Sequence, residues 1–144
     1  LVTNKAFSKM KLHDQMVSTP HPGEAADMLK VSIQEIQKDR IESAKKLQKK
    51  YNCVIVLKGQ GTIICNKKEM YLCSSGGPEL AVAGTGDILS GVIGSLIAQG
   101  LTPLDAAITG VGLHAQAGEN FATKVGTIGL AASELIPQIR KLLN

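Results

Sequence analysis

The fold of this chain is constrained most by a continuous apolar run at residues 53–57, Cys-Val-Ile-Val-Leu. A β-branched and aliphatic run without alternation predicts a strand covered on both faces, as in a parallel sheet. A helix precedes it, because Ser32 and Glu35 form a Ser-x-x-Glu capping box and apolar residues then recur at helical spacing to about residue 51. Residues 16–19 predict a shorter strand that ends at Pro20. Together these segments predict a β-α-β crossover.

The rest of the chain continues the alternation of strands and helices. Residues 62–65 and 70–73 flank a polar turn and predict a small β-hairpin. Three helices follow, at about residues 85–99, 102–122 and 129–143. Thr102 caps the second of them, and Pro137 is expected to break the last. The order predicts an α/β fold with a mainly parallel sheet flanked by helices, in which residues 1–144 belong to a single domain.

Composition argues against several classes of function. The chain has 144 residues, 44% of them hydrophobic, with no Trp and only two Phe and two Tyr, so no nucleic-acid partner that stacks on aromatic side chains is expected. The net charge of +4 fits a solvated, lysine-rich helix face better than a DNA-binding patch, so no nucleic-acid partner of either kind is expected. The longest nearly apolar run, residues 88–98, is well short of the roughly 20 residues that span a bilayer, so no membrane partner is expected. Three cysteines without zinc or disulfide spacing favour a reducing, cytoplasmic compartment.

The stretch most informative about function is Ala-Gly-Thr-Gly-Asp-Ile-Leu-Ser-Gly at residues 83–91. A glycine-rich turn that opens a helix leaves the first backbone N–H groups free for an anion, and the helix dipole adds to their attraction. Asp87 would repel a phosphate, so its carboxylate is better suited to take a proton from an attacking hydroxyl. The alternative interpretation is an ordinary helix start that Asp87 caps.

Two further turns carry candidate chemistry. The run Lys58-Gly59-Gln60-Gly61-Thr62 offers a cation, backbone N–H groups and a hydroxyl to a nucleotide phosphate, although a plain surface turn has the same composition. Thr-Pro-His-Pro-Gly-Glu at residues 19–24 presents His21 and Glu24 on a backbone held by two prolines, with a simple helix entrance as the alternative for Glu24. All three turns are expected at the carboxyl ends of strands, where ligands of parallel sheets bind. His114 lies in mid-helix and is expected to be a packed histidine rather than a ligand.

These motifs in this order, together with Leu-Ile-Ala-Gln-Gly at residues 96–100, resemble those of the ADP/ATP-dependent NAD(P)H-hydrate dehydratases, a family with the ribokinase-like fold. The resemblance runs from about residue 19 to the last helices, and it implies that the N-terminal part of the fold is missing and that this chain is the C-terminal portion of the domain. It implies nucleotide-dependent dehydration of the S-epimer of NAD(P)HX, the hydrated form of NADH or NADPH. Phosphate would pass from ADP or ATP to the ring hydroxyl and then leave, with Mg²⁺ as the cofactor.

The resemblance also implies a role for each site residue. Asp87 matches the catalytic aspartate, which contacts the substrate and activates its hydroxyl, and His21 matches a substrate-contacting histidine. Glu24 lies where related kinases have a glutamate that organises magnesium through water. An anion hole is matched by Gly84, Thr85 and Gly86. The nucleotide-phosphate segment is matched by Lys58, Gly59, Gln60, Gly61 and Thr62.

Two local departures from the family pattern stand beside these matches. Gly76-Gly77 takes the place of an asparagine, and Val-Thr-Asn-Lys-Ala at residues 2–6 takes the place of an Asp-Ala-Asp-like strand end. Two rival functions therefore stay open. One is a ribokinase-like kinase of a vitamin precursor or sugar. The other is a non-catalytic nucleotide-binding fragment, whose exposed sheet edge would favour a homo-oligomer or pairing with a chain that carries the missing part.

Overall fold

The computed structural model describes residues 12–144, and the departure at residues 2–6 therefore lies outside the described residues. The chain forms two compact units, the first ending at Leu72 and the second beginning at Cys73. Within residues 12–144 no helix is both long and apolar enough to cross a membrane.

The first unit is a small sheet with helices packed on it. Its strands follow the spatial order β1-β2-β3-β4. They are β1 (Val17–Ser18), β2 (Val54–Leu57), β3 (Thr62–Cys65) and β4 (Met70–Cys73), and its helices are α1 (Pro22–Leu29), α2 (Ile33–Lys38) and α3 (Arg40–Tyr51). β1 and β2 are parallel, with Val17 opposite Val54, which confirms the predicted β-α-β crossover.

The described sheet is mixed, although a mainly parallel sheet was expected. β2 and β3 are antiparallel, with Leu57 opposite Ile63. The reason is the connection between them, because the residues between Leu57 and Thr62 form a turn too short for the crossover that a parallel pair needs. The predicted hairpin strands β3 and β4 are both present and adjacent.

The core of the first unit lies between β2 and the helices. Every residue of β2 is buried, as the continuous apolar run predicts. Ile55 and Leu57 belong to one cluster with Ile36 and Leu47, all of them fully buried. Each such side chain contributes about 1.5–3 kcal/mol through removal from water, so this cluster holds the crossover helices against the strand.

The single helix predicted from residue 32 to residue 51 is in fact two helices. Asp39 ends α2 with a non-helical backbone (φ −148°, ψ 88°) and also caps α3, where its side chain accepts a hydrogen bond from the Glu42 N–H. A short aspartate side chain competes in this way with the helical hydrogen bonds, and the second N-cap offsets the break. The Ser32 capping box is present as predicted.

The second unit is helical. It contains a short 3₁₀ turn at Pro78–Leu80, then α4 (Thr85–Ala98) and α5 (Pro103–Val125), a second 3₁₀ turn at Ala132–Glu134, and α6 (Leu135–Leu142). Thr102 caps α5 as predicted, because its side chain accepts from the Asp105 N–H. The predicted break at Pro137 was wrong, since α6 begins at Leu135 and places Pro137 in the first turn, where a missing N–H costs little.

Candidate functional site

In the first unit, the turn after β1 forms a reciprocal helix cap. His21 is the N-cap of α1, and its Nδ1 accepts hydrogen bonds from the N–H groups of Gly23 (3.1 Å) and Glu24 (3.2 Å). The Glu24 carboxylate accepts in return from the His21 N–H at 2.7 Å, and Pro22 stands at the first helical position. Because Nδ1 is an acceptor, the ring proton of neutral His21 is on Nε2. The histidine is thus oriented by the backbone with Nε2 left for another partner.

Lys58 meets the same turn from the end of β2. Its backbone N–H donates to the Pro20 carbonyl at 2.9 Å, and its Nζ lies 3.9 Å from Glu24 Oε2. The His21 Nε2 lies 3.6 Å from that oxygen. Two of the three sequence motifs are therefore adjacent within the first unit, because the parallel pairing of β1 and β2 brings their carboxyl ends to one edge. The Glu24 side chain stays 45% exposed, so solvent screens this ion pair and leaves both charges available to a ligand.

The turn that follows Lys58 is held by a residue that the sequence reasoning missed. The Arg40 guanidinium donates to the carbonyl oxygens of Leu57 (3.1 Å), Lys58 (3.2 Å) and Gln60. The Thr62 hydroxyl donates to the Gly59 carbonyl at 3.2 Å. The residue type could have drawn attention to it, because Arg40 is one of only two arginines in a chain with 14 lysines. Arginine is the side chain best suited to donate to several carbonyls at once.

In the second unit, α4 begins with the predicted glycine turn. Gly84 is the N-cap, with a positive φ of 89° that suits glycine, and it makes no side-chain cap bond. Thr85 is buried, and its hydroxyl lies 2.8 Å from each of the carbonyl oxygens of Leu80 and Val82. These contacts tie the helix start to the 3₁₀ turn before it.

Gly86 and Asp87 are presented outward by that helix start. The Gly86 N–H donates to no group within residues 12–144, as expected for a first-turn amide. Asp87 is exposed, and its carboxylate makes no hydrogen bond or ion pair to the described part of the chain. The alternative in which Asp87 caps the helix therefore has no support, since Gly84 occupies the cap position.

His114 is a packed histidine, as expected. It is buried on α5, and its Nε2 lies 2.9 Å from the carbonyl oxygen of Thr85. A carbonyl only accepts, so this bond requires the proton on Nε2. The contact anchors the first turn of α4 to α5 from inside, which the sequence alone did not indicate.

The loop that carries Gly76-Gly77 is held by two carboxylates. Gly76 N–H donates to Glu119 Oε1 at 2.9 Å, and Gly77 N–H donates to Glu79 Oε1 at 2.8 Å. Glu79 is buried, and a Cβ on Gly77 would lie only 2.5 Å from its Oε2. The carboxylate of Glu79 therefore occupies the space that a side chain at position 77 would need.

The described residues fit magnesium only in a water-mediated mode. No group of three or more His, Cys, Asp or Glu side chains within residues 12–144 is placed to hold a metal ion. Magnesium, however, commonly keeps several waters and is held by one or two carboxylates together with substrate phosphates. Glu24 can supply one such carboxylate, because its side chain is 45% exposed and the hydrogen bond and ion contacts described above involve only Oε2.

The cysteines take no part in these sites. All three are free, and Cys53 and Cys65 are buried in the first unit. Burial is the largest cause that raises the pKa of each of these two thiols to about 11, so both are neutral and unreactive near pH 7.

Comparison with known structures places this architecture in the ribokinase-like fold. A dehydratase from Bacillus subtilis, crystallised with ATP and Mg²⁺, has a TM-score of 0.84 and 34% identity over 88% of this chain and 46% of its own. A hydroxyethylthiazole kinase from Pyrococcus horikoshii has a TM-score of 0.73 at 16% identity, over 87% of this chain and 48% of its own, and shares the fold alone.

Sequence comparison identifies one family within this fold. The NAD(P)H-hydrate dehydratase family profile matches residues 1–141, and this chain belongs to that family. A bifunctional NAD(P)H-hydrate repair enzyme of Coxiella burnetii is 45% identical over 132 residues, which are 91% of this chain and 27% of the relative. An ADP-dependent (S)-NAD(P)H-hydrate dehydratase of Neisseria meningitidis is 39% identical over 90% of this chain and 44% of its own length. The chain thus spans between about a quarter and a half of the relatives that it matches.

Proposed function

We propose that this chain acts in the nucleotide-dependent dehydration of the S-epimer of NAD(P)HX to NAD(P)H, a metabolite-repair reaction. Family membership supports the reaction class, and the relative from Neisseria meningitidis is named for this epimer and for ADP. The observation that carries the proposal is the start of α4, where an exposed Asp87 without a partner among the described residues stands beside a free Gly86 N–H. A base and an anion site side by side are what phosphoryl transfer to a hydroxyl requires.

In the second unit, Asp87 takes the proton from the ring hydroxyl of the substrate as that oxygen attacks the terminal phosphorus of ADP or ATP. The bond from phosphorus to its bridging oxygen breaks, which releases AMP or ADP. The phosphate group of the new ester then leaves with the electron pair of the ring C–O bond, and loss of a proton from the neighbouring ring carbon to water restores the double bond. The N–H groups of Gly84 and Gly86 stabilise the negative charge on the transferring group, while the Thr85 N–H donates to the Val82 carbonyl at 3.4 Å.

In the first unit, we assign the nucleotide phosphates to Lys58 and to the turn Gly59, Gln60, Gly61 and Thr62. Lys58 supplies a cation, and its Nζ lies 3.9 Å from Glu24 Oε2 in a solvent-screened ion pair that leaves the charge available to phosphate. His21 keeps Nε2 for the substrate, since its Nδ1 is used by the helix cap. Mg²⁺, when bound, neutralises phosphate charge, and Glu24 would hold it through water.

A second candidate is a nucleotide-binding unit without turnover. The observation that favours it is coverage, because the chain matches only 46% of the Bacillus subtilis dehydratase structure. A homo-oligomer, or pairing with a chain that carries the rest of the fold, stays a prediction that light scattering during size exclusion can test. A reducing, cytoplasmic compartment also stays a proposal, for which the free thiols are the support.

The test is restoration of NADH. The chain is mixed with the S-epimer of NADHX, ADP and Mg²⁺, and the absorbance of NADH is followed, with a vitamin-precursor or sugar substrate as the parallel assay. Asp87→Asn should reduce kcat by at least about a hundredfold with little loss of ADP affinity. Asp105→Asn is the matched control, because Asp105 holds the same third position in α5 that Asp87 holds in α4, and it should retain activity.

The outcomes separate the candidates. Restored NADH that is lost only in Asp87→Asn supports the proposed reaction. ADP binding without turnover identifies the second candidate, and turnover of a vitamin precursor or sugar in place of NADHX identifies a kinase. Undiminished turnover in Asp87→Asn removes Asp87 from the mechanism.

A further inference from the structure

We propose that Arg40 is a positioning residue that turns the Gly59 and Gly61 amides outward, so that the turn at residues 58–62 can bind a nucleotide phosphate. The inference rests on the proposed function and deepens it. It concerns a residue that touches no ligand itself and acts through the turn.

Arg40 is hydrogen-bonded to three backbone carbonyl groups. The Arg40 guanidinium donates to the oxygens of Leu57, Lys58 and Gln60, which stand on either side of Gly59. A guanidinium donates and does not accept, so all three carbonyls must point toward it. One side chain therefore sets the orientation of three peptide planes.

Peptide geometry then dictates where the amides go. The described chain contains no cis peptide bond, and in a trans peptide the N–H of the next residue points opposite to the carbonyl. The N–H groups of Lys58, Gly59 and Gly61 must therefore face away from Arg40. The Lys58 N–H does so, because it donates to Pro20 at 2.9 Å. The N–H groups of Gly59 and Gly61 donate to no group within residues 12–144, which leaves two outward amides flanking Gln60.

The close packing of the guanidinium explains why the turn needs both glycine and arginine. Gly59 has φ 141°, and a Cβ there would lie 2.9 Å from an Arg40 terminal nitrogen. Burial lowers the pKa of the Arg40 guanidinium from its ordinary value, yet arginine remains charged at neutral pH. The half-buried cation adds positive potential behind the amides. A lysine offers a single nitrogen and does not reproduce the planar fork.

The break between α2 and α3 is what places Arg40 here. Asp39 ends one helix and caps the next, so Arg40 is the first residue of α3. A crossover helix runs antiparallel to the strand that follows it, and its first residue lies beside the carboxyl end of that strand. Arg40 thus reaches the turn after β2 from the side opposite to the free amides.

The experiment compares the affinities of the chain for ADP and for adenosine by calorimetry. Arg40→Lys should weaken ADP binding about tenfold, which corresponds to about 1.4 kcal/mol, and should leave adenosine binding unchanged. Arg140→Lys is the matched control, since Arg140 is the other arginine of the chain and is exposed on α6, and it should match the wild type. A purely structural role would weaken ADP and adenosine alike.

A measurement on the wild type keeps the test independent of variant folding. In amide NMR spectra, ADP should shift the Gly59 and Gly61 signals, and adenosine should leave them in place. Unmoved glycine signals, equal ADP affinity in folded Arg40→Lys, or a parallel loss for adenosine would each overturn the inference while the proposed function stands. A wild-type chain that does not bind ADP would overturn both.

Discussion

The hydroxyl of Thr85 is the contact on which the geometry of the α4 start depends most directly. It is buried, at 5% exposure, and lies 2.8 Å from two carbonyl oxygens, those of Leu80 and Val82. Thr85→Val keeps the shape of the side chain and removes the donor. The Leu80 carbonyl then loses this hydroxyl donor at a part-buried position, and the Val82 carbonyl keeps the longer contact from the Thr85 N–H, at 3.4 Å.

The loss of stability in Thr85→Val follows from the desolvation cost of a polar group that is left unpaired. Leaving a buried acceptor without its donor costs about 1–3 kcal/mol, and we take about 2 kcal/mol for this position. An unfolding entropy of about 2.1 cal/mol/K per residue gives roughly 0.3 kcal/mol/K for a chain of 144 residues. We therefore expect Thr85→Val to lower Tm by about 7 °C.

Thermal unfolding followed by circular dichroism measures this effect. Thr85→Ser keeps the hydroxyl and should recover most of the loss. Thr123→Val is the control, because Thr123 is exposed and donates only to the Glu119 carbonyl within its own helix, and it should change stability by less than about 0.5 kcal/mol. A Tm for Thr85→Val within about 1 °C of the wild type would refute the assigned role of the hydroxyl.

Two further predictions concern other parts of the chain. Gly77→Ala should destabilise the second unit by about 1–3 kcal/mol in urea unfolding, because the new methyl would lie 2.5 Å from Glu79 Oε2; equal stability would show that the Glu79 carboxylate is free to move. Stability should also fall as pH rises from about 9 toward 11, because Cys53 and Cys65 keep their protons in the folded chain, with pKa values of about 11, while the unfolded thiols ionise. Urea titrations across that range should show the fall, and a Cys53→Ala, Cys65→Ala double variant should flatten it; an unchanged slope would assign the pH dependence to other groups.

Local sequence signals predicted most of the secondary structure. The Ser32 capping box and the Thr102 N-cap both appear, because each needs only residues within four positions. The buried strand β2 could likewise be predicted from its unbroken apolar run. Pro137 was misread because its effect depends on where the helix begins, and that position is set by packing of Leu135 and Ile139 into the core of the second unit.

The candidate site residues of each unit show the same difference. The motifs around His21 and Lys58 in the first unit and around Asp87 in the second could be found from residue types and spacing, since glycines, prolines and charged residues have local meanings. The residues that support them could not. Arg40, His114 and Glu79 act on backbone atoms of other segments, and no local pattern specifies which carbonyl or amide a side chain will reach.

The Gly-Thr-Gly-Asp turn shows most clearly this difference between a motif and the residues that support it. Neighbouring residues were enough to predict a glycine turn that opens an apolar helix with a carboxylate in its first turn. The folded chain adds that Thr85 and His114 hold this turn from inside, while Gly86 stays half-buried and Asp87 is exposed. Burial explains the difference, because only packing between distant segments determines which polar groups are paired in the interior and which remain available to a ligand.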